Sequence, residues 1–81
     1  MFTVYVIYSQ RAKLKYTGYT CDLERRLNEH NNNLLSTFTK KKGPWELIYK
    51  EEFATRAEAV EREKYLKTGF GRALIKRRTG K

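Results

Sequence analysis

The stretch Phe2 to Ser9, FTVYVIYS, constrains this chain more than any other part of its sequence. Phe2, Val4, Val6 and Tyr8 alternate with Thr3, Tyr5 and Ile7, β-branched and aromatic throughout, which is the chemistry of a strand. Neither alternating set is polar, so both faces read as buried. The polar residues Gln10 to Lys13 make a natural turn, and Leu14 to Thr20 (LKYTGYT) reads as a second strand that pairs back on the first. Asp22 then opens a helix. Glu24 favours its N-terminal dipole, Leu23 and Leu27 lie one turn apart, and the run Asn31-Asn32-Asn33 ends it. A polar, lysine-bearing loop from Asn32 to Pro44 leads into WELIYKEEF, which suits a third strand. Thr55 and Glu58 have the spacing of a capping box for a second helix running to about Lys67. Gly69 and Gly71 are expected to break that helix, leaving Arg72 to Arg78 as a short basic one. The order β-β-α-β-α-α makes an α+β fold, a three-stranded antiparallel sheet flanked by helices.

At 81 residues the chain is expected to form one domain, residues 1–81, since so short a sequence buries only about 60% of its unfolded surface. No apolar run approaches the roughly 20 residues of a membrane span. The N-terminus lacks the pattern of a secretory signal, and the expectation is a cytoplasmic protein with no membrane partner. Cys21 is the only cysteine and His30 the only histidine, so no His/Cys metal cage can form. Any metal must be held by carboxylate and water. Eighteen Lys and Arg against nine Asp and Glu give a formal charge of +9, whose field attracts polyanions, nucleic acid first among them. Lys40, Lys41 and Lys42 in the loop, and Lys76, Arg77 and Arg78 near the C-terminus, are the candidate nucleic-acid contacts.

On the second helix, at about 100° per residue, Ala59, Val60 and Leu66 define the apolar stripe. Glu63 falls between Ala59 and Val60, apart from Glu58, Glu61 and Tyr65. A carboxylate turned inward needs a partner, either a basic side chain such as Arg26 or a lysine, or a divalent cation. Arg26 and His30, one turn apart, border the leucine face of the first helix, whereas Arg25 points away. There a guanidinium can serve as an ordinary surface charge or offer paired hydrogen bonds to a phosphate. His30 can satisfy a helix-end hydrogen bond or act as the one group that titrates near neutrality. Tyr5 and Tyr16 sit on neighbouring strands where their hydroxyls can converge, either as core or as groups whose acidity nearby cations raise. Gly18, inside the second strand, suggests close approach by a ligand or another segment.

Taken together, these residues resemble the GIY-YIG nucleases, the family of intron-encoded homing endonucleases and of the incision domain of bacterial excision repair. Thr3-Val4-Tyr5 corresponds to the GIY element and Tyr16-Thr17-Gly18 to the YIG element. Arg26 falls eight residues past that glycine, His30 matches the family's His or Tyr position, and Glu63 in EREKYLK falls at its metal-binding glutamate. The Gly and Ile of GIY are replaced, and the asparagine that some members carry after the glutamate helix has no counterpart. The small single-domain bacterial branch is the nearest in character. The resemblance implies a GIY-YIG-like fold and an endonuclease that hydrolyses DNA phosphodiesters, in repair or recombination, on branched or structured DNA. It also implies a site of Tyr5, Tyr16, Arg26, His30 and Glu63, with one Mg²⁺ or Mn²⁺ on Glu63. Tyr16, or His30 through it, would accept the proton of the attacking water, Arg26 would neutralise phosphate charge, and the products would carry a 5′ phosphate and a 3′ hydroxyl. With no separate recognition domain in view, a partner protein is one source of substrate preference. The competing reading is a non-catalytic nucleic-acid-binding module of the same fold. A third is a structural protein of a ribonucleoprotein, whose basic tail fits but whose inward carboxylate does not.

Overall fold

The structure is a computed structural model that describes residues 1–32 and 42–81. Lys40 and Lys41 lie outside the described residues. Strand β1 (Phe2–Ser9) returns as β2 (Leu14–Thr20), helix α1 (Leu23–Asn31) follows, then β3 (Glu46–Phe53), α2 (Arg56–Leu66) and α3 (Gly69–Thr79). The sheet order is β2-β1-β3 with both pairings antiparallel, which explains the two apolar faces of β1. As the middle strand it is covered on both sides. Val4 and Val6 pack with Ala59 of α2, Leu66 of α2 and Ile75 of α3. Tyr5 and Ile7 pack the other way, with Trp45 and with Leu23 and Leu27 of α1. Three layers result, with α1 on one face and the α2–α3 pair on the other.

Between Val6 and Ile7 the pairing with β3 skips a residue, Val6 meeting Tyr49 and Ile7 meeting Leu47. The extra residue, Ile48, joins Tyr49 against the α2–α3 core while Leu47 turns toward α1, so the bulge lets β3 supply both layers. In the hairpin turn Lys13 takes a positive φ of 59°. Ser9, fully buried, accepts from the Ala12 amide at 3.0 Å and donates to the Lys42 carbonyl, tying the hairpin to the segment before β3.

The capping box on α2 is present, Thr55 and Glu58 satisfying each other's backbone amides. The expectation for Gly69 and Gly71 is corrected: both belong to the first turn of α3, capped by the Thr68 hydroxyl, which accepts from the Gly71 amide at 3.2 Å. Gly71 is required for packing. A Cβ there would lie 2.2 Å from the Tyr65 carbonyl oxygen and 2.3 Å from the Leu66 Cα, so only a glycine lets α3 turn this tightly against the end of α2.

Candidate active site

The β1–β2 register sets Tyr5 opposite Gly18 and Ile7 opposite Tyr16, which puts both tyrosines on the face covered by α1. The Tyr5 ring lies across Gly18. A Cβ at that position would stand 2.8 Å from the Tyr5 hydroxyl and 3.0 Å from Cζ, so the glycine makes room for a side chain of its own sheet.

From α1, His30 enters between the two rings. Tyr5 Oη and His30 Nε2 share a hydrogen bond of 2.9 Å, and the imidazole centre lies 5.8 Å from the Tyr5 ring and 5.0 Å from the Tyr16 ring. Asp22 positions the helix by accepting from the Arg25 amide at 3.2 Å. Asn31 fixes its other end: its Oδ1 accepts from the Trp45 amide at 2.6 Å and its Nδ2 donates to the Trp45 carbonyl at 3.3 Å. Trp45 packs in turn against Tyr5 and Ile7. This clip between α1 and the start of β3 went unread in the sequence, where Asn31 signals no more than a helix end.

Tyr5 is 2% exposed and His30 1%. Burial first, then the neighbouring Tyr16, push the Tyr5 phenol well above its ordinary range; Glu63 and Glu29 add to this while Arg26 opposes it. Burial, then Arg26, hold the His30 imidazole below its ordinary 6.5, with Glu29 opposing. At neutral pH the pair is therefore an intact phenol beside a neutral imidazole. Tyr16 is the half-exposed member of the three.

Arg26 and Arg25 differ as the helix geometry predicts. The Arg25 side chain is well exposed beside Asp22, whereas that of Arg26 is 34% exposed and its Nε is buried with no hydrogen-bond acceptor among the described residues. The nearest carboxylate, Glu29, stands 3.9 Å away, too far for a hydrogen bond. An unsatisfied N–H on a guanidinium is costly in a closed core and useful where an anion arrives.

Glu63 is sheltered, its side chain 17% exposed, and pairs with Lys67 one turn on at 2.8 Å. Of the partners left open by the sequence, the lysine is the one observed. Glu58 is committed to the cap and Glu61 is exposed. Among the described residues no group of three or more His, Cys, Asp or Glu converges, so a metal here would rely on Glu63 and water. That donor set suits Mg²⁺ or Mn²⁺, which keep several waters beside one or two carboxylates. The Lys67 partner is more than half exposed, and such surface pairs contribute about 0–1 kcal/mol, so it gives way readily.

The other basic candidates are placed differently. Lys42 is bound through its carbonyl to Ser9. Lys76, Arg77 and Arg78 are exposed on the last turn of α3, where the charge of Arg78 acts on Tyr49 and Glu51 of β3. Those two belong to a network the sequence reading missed: Arg62 of α2 grips Glu51 at 2.7 and 3.1 Å, and Tyr49 donates to Glu51 at 2.5 Å.

A family model described as the GIY-YIG catalytic domain matches residues 1–77. The chain belongs to the GIY-YIG family. It is 40% identical over 65 residues to a UPF0213 protein of Staphylococcus saprophyticus, covering 80% of this chain and 78% of the relative. A UPF0213 protein of Clostridium perfringens is 41% identical over 64 residues, covering 79% and 68%. The solution NMR structure of a UPF0213 protein from Bacillus halodurans superposes with a TM-score of 0.57 at 28% identity, over 99% of this chain and 88% of that one. The GIY-YIG fold and a nuclease-type domain are thereby shown, and the names of these relatives state no activity. No helix among the described residues is long and apolar enough to cross a membrane.

Proposed function

We propose that this GIY-YIG domain is a DNA endonuclease that hydrolyses a phosphodiester at the cluster of Tyr5, Tyr16, Arg26, His30 and Glu63. The observation that carries this reading is the buried Arg26 Nε, which has no acceptor among the described residues and borders a neutral histidine held between two tyrosines. Arg26 binds the phosphate and neutralises the charge that develops on its oxygens. Tyr16, the tyrosine of the cluster that solvent reaches, takes the proton of the attacking water as its own phenolic proton passes to the neutral His30 imidazole. Tyr5 and His30 lie behind it as a hydrogen-bonded pair that orients the site and takes up proton density at the imidazole. Glu63 is the residue that would hold Mg²⁺ or Mn²⁺. An ion held there would supply Lewis-acid chemistry at the phosphate, consistent with a 5′ phosphate product.

Purified protein with Mg²⁺ or Mn²⁺ and a panel of branched, flapped, single-stranded and duplex DNAs tests the reading. Cleavage is expected on at least one substrate, with Glu63→Ala and Arg26→Ala each reducing it about a hundredfold or more. Cleavage that neither substitution affects would overturn the site, and salt-sensitive binding without cleavage would establish the domain as a binding module.

A further inference from the structure

Among the described residues Phe70 is the most exposed large apolar side chain, at 81%, and it enters neither apolar core. A single exposed apolar residue is ordinary on a protein surface; this one is set apart by its surroundings. It stands in the first turn of α3, whose packed side is formed by Gly71, Leu74 and Ile75. At about 100° per residue Phe70 falls away from that side, on an exposed stripe with Ala73 and Arg77. The helix carries Arg72, Lys76, Arg77 and Arg78 and no acidic residue. Gly69, next to the ring, differs from Gly71: a Cβ there would meet no described atom within 4 Å, so the packing of the chain does not demand a glycine. Backbone left open in this way admits a partner to close range.

A second copy of the chain is a poor occupant, because two such faces would bring like charges together. A nucleic acid uses every part of the face, with a base stacked on the ring and phosphates met by the cations. Lys67, which ends α2 and pairs with Glu63 at 2.8 Å, precedes Phe70 by only three residues, so the ring stands at the corner of the fold that carries Glu63. We propose that Phe70 is a base-stacking residue, receiving the face of a nucleobase while the cations of α3 hold the flanking phosphates. The proposal takes DNA as its ligand from the nuclease reading, while its test does not depend on cleavage.

Fluorescence anisotropy in EDTA, with a labelled DNA hairpin carrying a short thymidine tail, reads binding alone. Phe70→Ala should weaken binding about tenfold and leave its salt dependence unchanged. Lys76→Ala combined with Arg77→Ala should instead lower the salt slope by up to about two. Phe70→Leu, which keeps apolar bulk without a ring, should bind as weakly as Phe70→Ala. Phe70→Trp should bind at least as tightly as wild type, and its added indole emission should be quenched as DNA is titrated in, whereas Trp45 is buried. Thermal melts confirm that each variant is folded. Wild-type affinity in Phe70→Ala, or full recovery in Phe70→Leu, would overturn the stacking role. Ring-dependent binding by a protein that cuts nothing would uphold it and remove only the hydrolytic reading, and a protein that binds no DNA would overturn both.

Discussion

Tyr5 and Gly18 face each other across the β1–β2 ladder, and the pair shows how narrow the tolerance of the site is. The Tyr5 hydroxyl reaches His30 only because nothing projects from position 18. Gly18→Ala forces the phenol aside and strands a buried imidazole nitrogen, at a cost of about 1–3 kcal/mol. Urea unfolding should show this as a lower midpoint, together with a changed Tyr5 ring resonance by NMR; unchanged values for both would remove the steric account. Sequence reasoning placed a close approach at Gly18 yet left open what approaches, since the answer lies in the strand register. The same holds for Glu63. Its helix phase marks an inward carboxylate, whereas the identity of its partner, Lys67, depends on rotamers that no periodicity encodes.

Among the elements, α2 carries the most dissimilar duties. One side buries Ala59 and Leu66 against β1, Glu63 lies at the candidate active site, and Arg62 grips Glu51 of β3. Arg62→Ala leaves a sheltered Glu51 carboxylate with Tyr49 as its remaining hydrogen-bond partner, and is expected to cost about 1–3 kcal/mol in chemical unfolding. Arg62→Lys should recover only part of this, because an ammonium cannot reproduce the two-pronged contact. The element order, the Asp22 and Thr55 caps and the hairpin were legible because each depends on residues close in sequence. Three features were not: the Arg62–Glu51–Tyr49 network, the Asn31–Trp45 clip and the start of α3 at Gly69. The first two join residues that only the tertiary fold brings together. For the third, two glycines near a helix end carry the same local signal whether they terminate a helix or let another pass close by, and only the clash at Gly71 tells the cases apart.

Over the whole molecule, the buried titrating groups set a characteristic acid response. Because His30 is held below 6.5 in the fold, the unfolded chain binds its proton more readily. Stability is therefore full above about pH 6.5 and falls as pH drops below it, with a slope of up to about 1.4 kcal/mol per unit for one proton. The Glu51 carboxyl is held below 4.5, chiefly by its hydrogen bonds from Arg62, so its contribution is present above that value and is lost as pH falls further. Thermal unfolding across pH should show two successive losses, with His30→Gln removing the upper and Arg62→Ala diminishing the lower. A single loss below pH 4.5 in the wild type would contradict the histidine assignment. The central position of β1 has a different kind of consequence, one of timing. A ribosome makes this strand before either of its neighbours and long before Ala59, Leu66 and Ile75, the residues that cover Val4 and Val6. The hairpin can close early, but the Val4–Val6 face of its middle strand stays bare until α2 has emerged and is fully covered only once Ile75 of α3 follows, so α3 completes the protection of that face against association with other nascent chains.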